Sequence, residues 1–444
     1  MKFGFGRTDI TPRVGVELCG FGPFRNRHSI AVRDRLYARA LAWEVDGEQA
    51  VLVSCDLIGV SADITERVRA RVRQASGLSA DRVMVHCTHT HSGPGTGAYI
   101  GWGDPDLPFL ELLPARIAGA CSEALKNLRE ATLSHAEVPC EGIGLNREYD
   151  AFRAELDDIL DENWRPQKPE CTDTTAHVFT VSSGDRVLGF VSYFGCHPVV
   201  CAANTRYIHG DYCGVATNML EREVPGSVGL FLQGAQGDVN SCIVAREEPE
   251  ALRALDIIAS RYARAVRRGI RRAAPVAVDG VQSARRRIPF SRKPWNRARL
   301  CDMLAAEESL TRSPNADDGD HQMRLATVRA VALRRMISAL DRGETLTPEL
   351  ELQGLRLGPV AFLGTPFEVQ RAIKTDVVQA AKAPIPLVLG LTNNSAGYAV
   401  DRRVAERGGY AADLVPLIQA ALPFAAIHDE LRDALLRIDA DLHS

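Results

Sequence analysis

Two histidines one residue apart, in Thr88-His89-Thr90-His91-Ser92-Gly93-Pro94-Gly95, are the residues of this chain best suited to chemistry. They follow the apolar run Val83-Met84-Val85, which reads as a buried strand. Extended backbone puts alternate side chains on one face, so the spacing predicts that His89 and His91 point the same way. Ser-Gly-Pro-Gly then ends the strand at once. Two imidazoles on one face of a strand end can hold a metal or move protons. The spacing by itself fits a solvated polar strand end equally well.

The elements that would position such residues are apolar, β-branched runs: 50–54, 82–87, 187–194, 228–232, 360–363 and 385–391. Amphipathic helical patterns lie between many of them, over 62–74 with Ser61 as N-cap, and over 109–128. Residues 352–363, turning at Gly358-Pro359, read as a hairpin. Alternating elements with buried strands predict an α/β fold, with mixed β-sheets flanked by helices. Polar residues follow each run: Asp56, then His89 and His91, then His197. Gln236 to Asn240, Glu368, and Asn393 to Tyr398 follow the rest. Such sheets bind ligands beyond the carboxyl ends of their strands, so these residues are expected to converge there.

The chain has 444 residues, a formal charge of -3 and eleven cysteines. That charge disfavours nucleic acid or an anionic membrane as partner. No apolar run approaches the ~20 residues of a membrane helix, and Met1 to Asp9 lacks the apolar stretch of a signal peptide. The cysteines form no Cys-x-x-Cys pair, and several sit in apolar runs, so a reducing, cytoplasmic setting is expected. The expected organisation is one domain over 1–444, with a helical, arginine-rich variable region at about 242–350. The arginines along 251–273 read as a solvated helix face, and Pro314 to Gly319 as an acidic surface turn. Arg285-Arg286-Arg287 and Arg292-Lys293-Pro294-Trp295 read as a loop able to close over an anionic substrate group.

The motifs together resemble the catalytic domain of the neutral ceramidase family. The likeness runs through Gly6 to Pro12, Val53 to Asp56, Thr88 to Gly95, Leu145-Asn146-Arg147 and Gly195-Cys196-His197. It continues through Gly237-Asp238-Val239, Thr365 to Glu368, and the tyrosines Tyr398 and Tyr410, and is weakest over 242–351. The resemblance implies one zinc ion per chain, with His89, His197, Glu368 and Tyr398 as ligands. It implies His91 as a proton-transfer or orienting residue beside the metal, and Arg147 and Tyr410 on the substrate carbonyl. Neutral imidazoles and a carboxylate suit zinc.

Two departures from the family pattern shape the expectation. Asn240 stands where the family has a serine needed for ceramide cleavage, with Ser241 one residue later. Asparagine cannot act as a nucleophile, but it can hydrogen-bond a substrate. The family's C-terminal immunoglobulin-like domain and a secretion signal are not expected. The reading is therefore a zinc-dependent amidohydrolase acting through metal-bound hydroxide on an N-acyl or related C–N bond. Its substrate is expected to be small and polar or anionic, without stable membrane association. An ester or lactone hydrolase, or a ligand-binding relative without turnover, uses the same residues; true ceramidase activity is expected less.

Overall fold

The computed structural model describes residues 1–97, 99–150 and 153–444. Three main sheets are built from the apolar runs. One has the order Val83–Cys87, Glu48–Cys55, Tyr37–Val45, Lys2–Asp9, Arg129–Glu130. A second has Val228–Gln233, Arg186–Phe194, Thr175–Ser183, Thr132–Pro139, Ala274–Pro275. The third has Val281–Ile288, Leu350–Leu357, Val360–Gly364, Ile385–Leu389. The expected hairpin at Gly358-Pro359 is present. Each sheet is largely antiparallel but ends on one side in a parallel pair. The fold is mixed α/β, as the alternating pattern predicts.

The sheets share one apolar core. Trp43 of the first, Phe179 and Leu230 of the second, and Phe362 and Leu387 of the third pack in the same cluster. Helices cover the outer faces. Ser61 caps Ala62–Ser76 by accepting from the Ile64 N–H, and Gly77, at φ 79°, ends it in the left-handed conformation. Asp106 caps Leu107–Lys126 in the same way. Among the described residues no helix is long and apolar enough to cross a membrane.

The region 242–350 contains the helices Glu248–Arg272, Arg297–Thr311 and His321–Asp341. It also contains a strand the arginine run concealed. Arg285, Arg286 and Arg287 are not loop; they lie in Val281–Ile288, the edge strand paired to Leu350–Leu357. An edge strand tolerates charged residues, and these have partners: Arg285 with Glu351 at 3.1 Å and Arg286 with Asp441 at 2.7 Å. Beyond it, Arg292 stacks on Phe424 and Lys293 pairs with Asp413 at 2.9 Å. Trp295 lies against Arg299. None of these lines the cavity before the histidines, so the expected anion-holding loop is not there. The basic helix face is solvated and paired, as with Arg267 and Glu223, except for Arg261. That residue is buried and donates to the Gly142 and Ile159 carbonyls.

Candidate metal centre and active site

The parallel edges of the three sheets meet at His86. Its Nε2 accepts from the Gln233 backbone N–H at 2.8 Å, and its Nδ1 faces the Gly390 carbonyl at 3.0 Å. Three strand ends are thereby brought together, and the polar residues that follow them enclose one site.

His89 and His91 reach that site by a different route from the one their spacing suggests. The strand stops at Cys87, and His89 has φ 71°. They are therefore not alternate residues of extended backbone. The chain turns at His89, and the two rings stand edge to face with centroids 4.7 Å apart.

Backbone carbonyls fix the histidine tautomers. Nδ1 of His89 faces Ile58 O at 2.6 Å, that of His91 faces Gly20 O at 3.1 Å, and that of His197 faces Gln236 O at 2.6 Å. A carbonyl only accepts, so each Nδ1 carries the proton and each Nε2 presents a lone pair. The ligand atoms of the three residues lie within 4.8 Å of one another. Oε2 of Glu368 lies 3.3 Å from Nε2 of His89 and 3.0 Å from Nε2 of His197. Burial lowers His197 to about 4 and His91 well below its ordinary value. With the protons on Nδ1, the Nε2 lone pairs of His89 and His197 face the Glu368 carboxylate, acceptors directed at an acceptor. Oε2 of Glu368 and Nε2 of His91 and His197 have no hydrogen-bond partner. Buried acceptors in this arrangement repel unless a cation lies between them, and the donor set suits zinc. The other histidine group, His135, Glu137 and His177, differs, because there the two imidazoles bond each other at 3.2 Å.

The remaining expected residues are arranged around this group. Glu368 lies in the two-residue strand Glu368–Val369, paired in parallel with Tyr398–Ala399. Register partners share a face, which sets Tyr398 beside Glu368. Tyr410 stands next to it, with ring centroids 6.3 Å apart, and is half exposed. Arg147 lies over the Tyr398 ring at 5.2 Å. It donates to Gly237 O at 2.6 Å and approaches Oδ1 of Asn240 at 3.5 Å. Burial alone would lower the guanidinium pKa; Tyr398, Tyr410 and Glu368 reverse this and raise it. Ser241 cannot replace the missing serine, because its buried hydroxyl donates to His197 O at 2.9 Å.

Gly237-Asp238-Val239 organises these parts. A Cβ on Gly237 would stand 2.6 Å from Glu368 O, so only glycine allows the Glu368 strand this close. Asp238 accepts from Arg371 N and from Nδ2 of Asn146, and its carbonyl accepts from Arg147 N. Val239 O accepts from His197 N at 2.8 Å. Asp56, by contrast, is structural, forming a buried pair with Arg39 at 2.8 Å.

Four contributing residues carry no signal in the sequence. Gln233 donates from Nε2 to Thr88 O at 3.0 Å and to Cys196 O at 3.1 Å, the carbonyls just before His89 and His197. Gly20, at φ 112°, leaves room for His91; a Cβ there would meet its Nδ1 at 2.3 Å. Arg25 and Arg153 line the cavity of about 550 Å³ that opens before His91, His197, Arg147 and the tyrosines. No motif marks any of them.

A family model described as neutral/alkaline non-lysosomal ceramidase, N-terminal, matches residues 1–253. The neutral ceramidase of Mycobacterium tuberculosis is 24% identical over 276 residues, covering 56% of this chain and 42% of that protein. The neutral ceramidase of Drosophila melanogaster is 25% identical over 282 residues, covering 59% and 39%. The chain thus spans about two fifths of the length of the curated relatives it matches. The crystal structure of neutral ceramidase from Pseudomonas aeruginosa superposes with TM-score 0.74 at 19% identity, over 99% of this chain and 75% of that one. A ceramidase complexed with C2 superposes with TM-score 0.76 at 17% identity, over 100% and 75%. These two share the fold. With more than half of its length matched by the family model, the chain belongs to the neutral/alkaline non-lysosomal ceramidase family.

Proposed function

We propose that the protein is a zinc-dependent hydrolase that cleaves the amide bond of an N-acyl substrate. The observation that carries this is the convergence of buried lone pairs from His89, His197 and Glu368, with no proton donor among them. Together with Tyr398, these three residues would hold the ion. Zinc bound there supplies Lewis acidity and makes water a nucleophile near neutral pH.

The chain's own residues divide the remaining work. His91 has no hydrogen bond to Glu368; it lines the cavity, and its unprotonated Nε2 accepts a proton there. Arg147 is held by Gly237 and against Tyr398, and keeps its charge. It offers that charge to the carbonyl oxygen as negative charge develops, an effect of about 3 kcal/mol for one well-placed donor. Tyr410, half exposed at the cavity, orients the substrate with Asn240.

The names of the relatives place ceramide among the first substrates to assay. The expectation from Asn240 that ceramide is disfavoured finds no support in those comparisons. The deciding experiment measures zinc by elemental mass spectrometry alongside release of fatty acid from ceramide and simple N-acyl amides, with and without chelator. One zinc per chain and chelator-sensitive release are expected. Release unaffected by complete metal removal would overturn the proposal.

A further inference from the structure

The cavity before the histidines has positively charged walls, outside the Glu368 carboxylate that faces His197. Its charged lining residues are Arg25, Arg147 and Arg153, and among the described residues neither aspartate nor glutamate lines it. Arg147 is engaged by Gly237 and Asn240. Arg25 and Arg153 are exposed, and neither has an ion-pair or hydrogen-bond partner among the described residues. Some arginines elsewhere on the surface are neutralised, Arg246 by Glu155, Arg264 by Glu162, Arg329 by Glu307 and Arg407 by Glu148, but these two, like other exposed arginines, are not. A chain of formal charge -3 thus leaves two arginines unpaired on one cavity. The rest of the wall is apolar, including Phe21, Trp102, Val199, Val244, Leu325 and Leu414. An amphiphilic cavity of this kind matches a ligand with an apolar chain and an anionic end.

We infer that the substrate is an N-acyl amide bearing an anionic oxygen group, a carboxylate or a phosphate, received by Arg25 and Arg153 while the acyl chain lies on the apolar wall. This rests on the amide-hydrolase reading for the reaction, but not for the binding. Guanidinium groups match both anions through paired N–H donors, and they stay charged at all working pH. A cavity lined by one sign of charge also concentrates ligands of the opposite sign.

The test is calorimetric binding to chelator-treated protein, which turns nothing over. N-decanoylglycine is compared with N-decanoylethanolamine, of similar size and neutral, and with the phosphate ester of the latter. About tenfold tighter binding of an anionic ligand at low salt is expected, falling as salt rises. Whichever anion binds tighter identifies an amino-acid amide or a phosphoester as the source. In Arg25→Gln/Arg153→Gln the anionic-over-neutral ratio should fall towards one, and in Arg153→Glu it should invert. Equal or tighter binding of the neutral amide, or a ratio unchanged in the variants, would overturn the inference. Restoring zinc then separates the two claims. Anion preference without cleavage removes the hydrolase reading alone; cleavage without preference removes the anion inference alone.

Discussion

The backbone N–H of Gln233 donates to Nε2 of His86, joining the edge strands of two sheets through one imidazole. Nδ1 of the same ring donates to Gly390 O at the end of the third sheet's edge strand. The ring must be neutral to make both bonds, and burial lowers its pKa to about 3. Below about pH 6.5 the unfolded chain takes up a proton here and the folded chain does not. Stability is therefore complete above that pH and falls as pH drops towards about 3, by ~1.4 kcal/mol per unit. Other buried histidines add to the slope, so urea unfolding at pH 7 and pH 5 should show a steeper dependence in total, and His86→Gln should be shallower than the parent by the amount of this one group. Identical slopes in the two proteins would remove His86 as a contributor.

The histidines should separate by role. His89→Ala and His197→Ala should each abolish zinc in the purified protein. His91→Ala should retain it and lose roughly 10²–10⁴ in kcat, the range for a proton-transfer group. Metal content and steady-state rates on the same preparations decide this. If His91→Ala is also metal-free, the residue is a ligand and its assigned role is wrong.

Gln233 touches neither metal nor substrate, yet it fixes the carbonyls ahead of both histidines. Gln233→Leu keeps the side-chain bulk and removes those bonds. Zinc affinity should drop about 10- to 100-fold, as for outer-shell partners of metal ligands. A competition titration with a chromogenic chelator reads it directly. Unchanged affinity in a folded variant would mean that the loops hold their positions unaided.

Arg147 is predicted to act on rate and not on metal. Arg147→Ala should keep zinc and lower kcat by about 10²–10³. Arg147→Lys should recover little, because a lysine cannot bond Gly237 and lie flat on Tyr398 together. Asn240→Ala removes one long hydrogen bond from that guanidinium, and a loss of ~1 kcal/mol or less in kcat/KM is expected. Full recovery in Arg147→Lys would show that charge alone matters.

What could be read from the sequence followed short-range rules. The apolar runs became strands, Ser61 became a cap, and most of the polar residues after the strands gathered at one site, Asp56 excepted. Family motifs pointed to His89, His197, Glu368 and Tyr398, and the chain brings them together. Local sequence carries no signal where distant partners decide the outcome. Arg285 to Arg287 looked like loop because their charge is compensated by Glu351 and Asp441, far along the chain. His89 was expected in extended backbone, but the turn at φ 71° brings its Nδ1 to Ile58 O. Gln233 and Gly20 act only through tertiary contacts, so no local pattern could single them out.

The meeting of three strand ends at His86 also bears on how the protein fails. Val83–Cys87, Val228–Gln233 and Ile385–Leu389 are each the outermost strand of a sheet. An uncovered outer strand invites a foreign chain to add to it. Here the three shield one another, so the architecture that assembles the centre also keeps neighbouring molecules from pairing with it. Loosening at His86 would uncover all three strands together. Acid exposure should then produce self-associated β-rich material before it produces dispersed, fully unfolded chains.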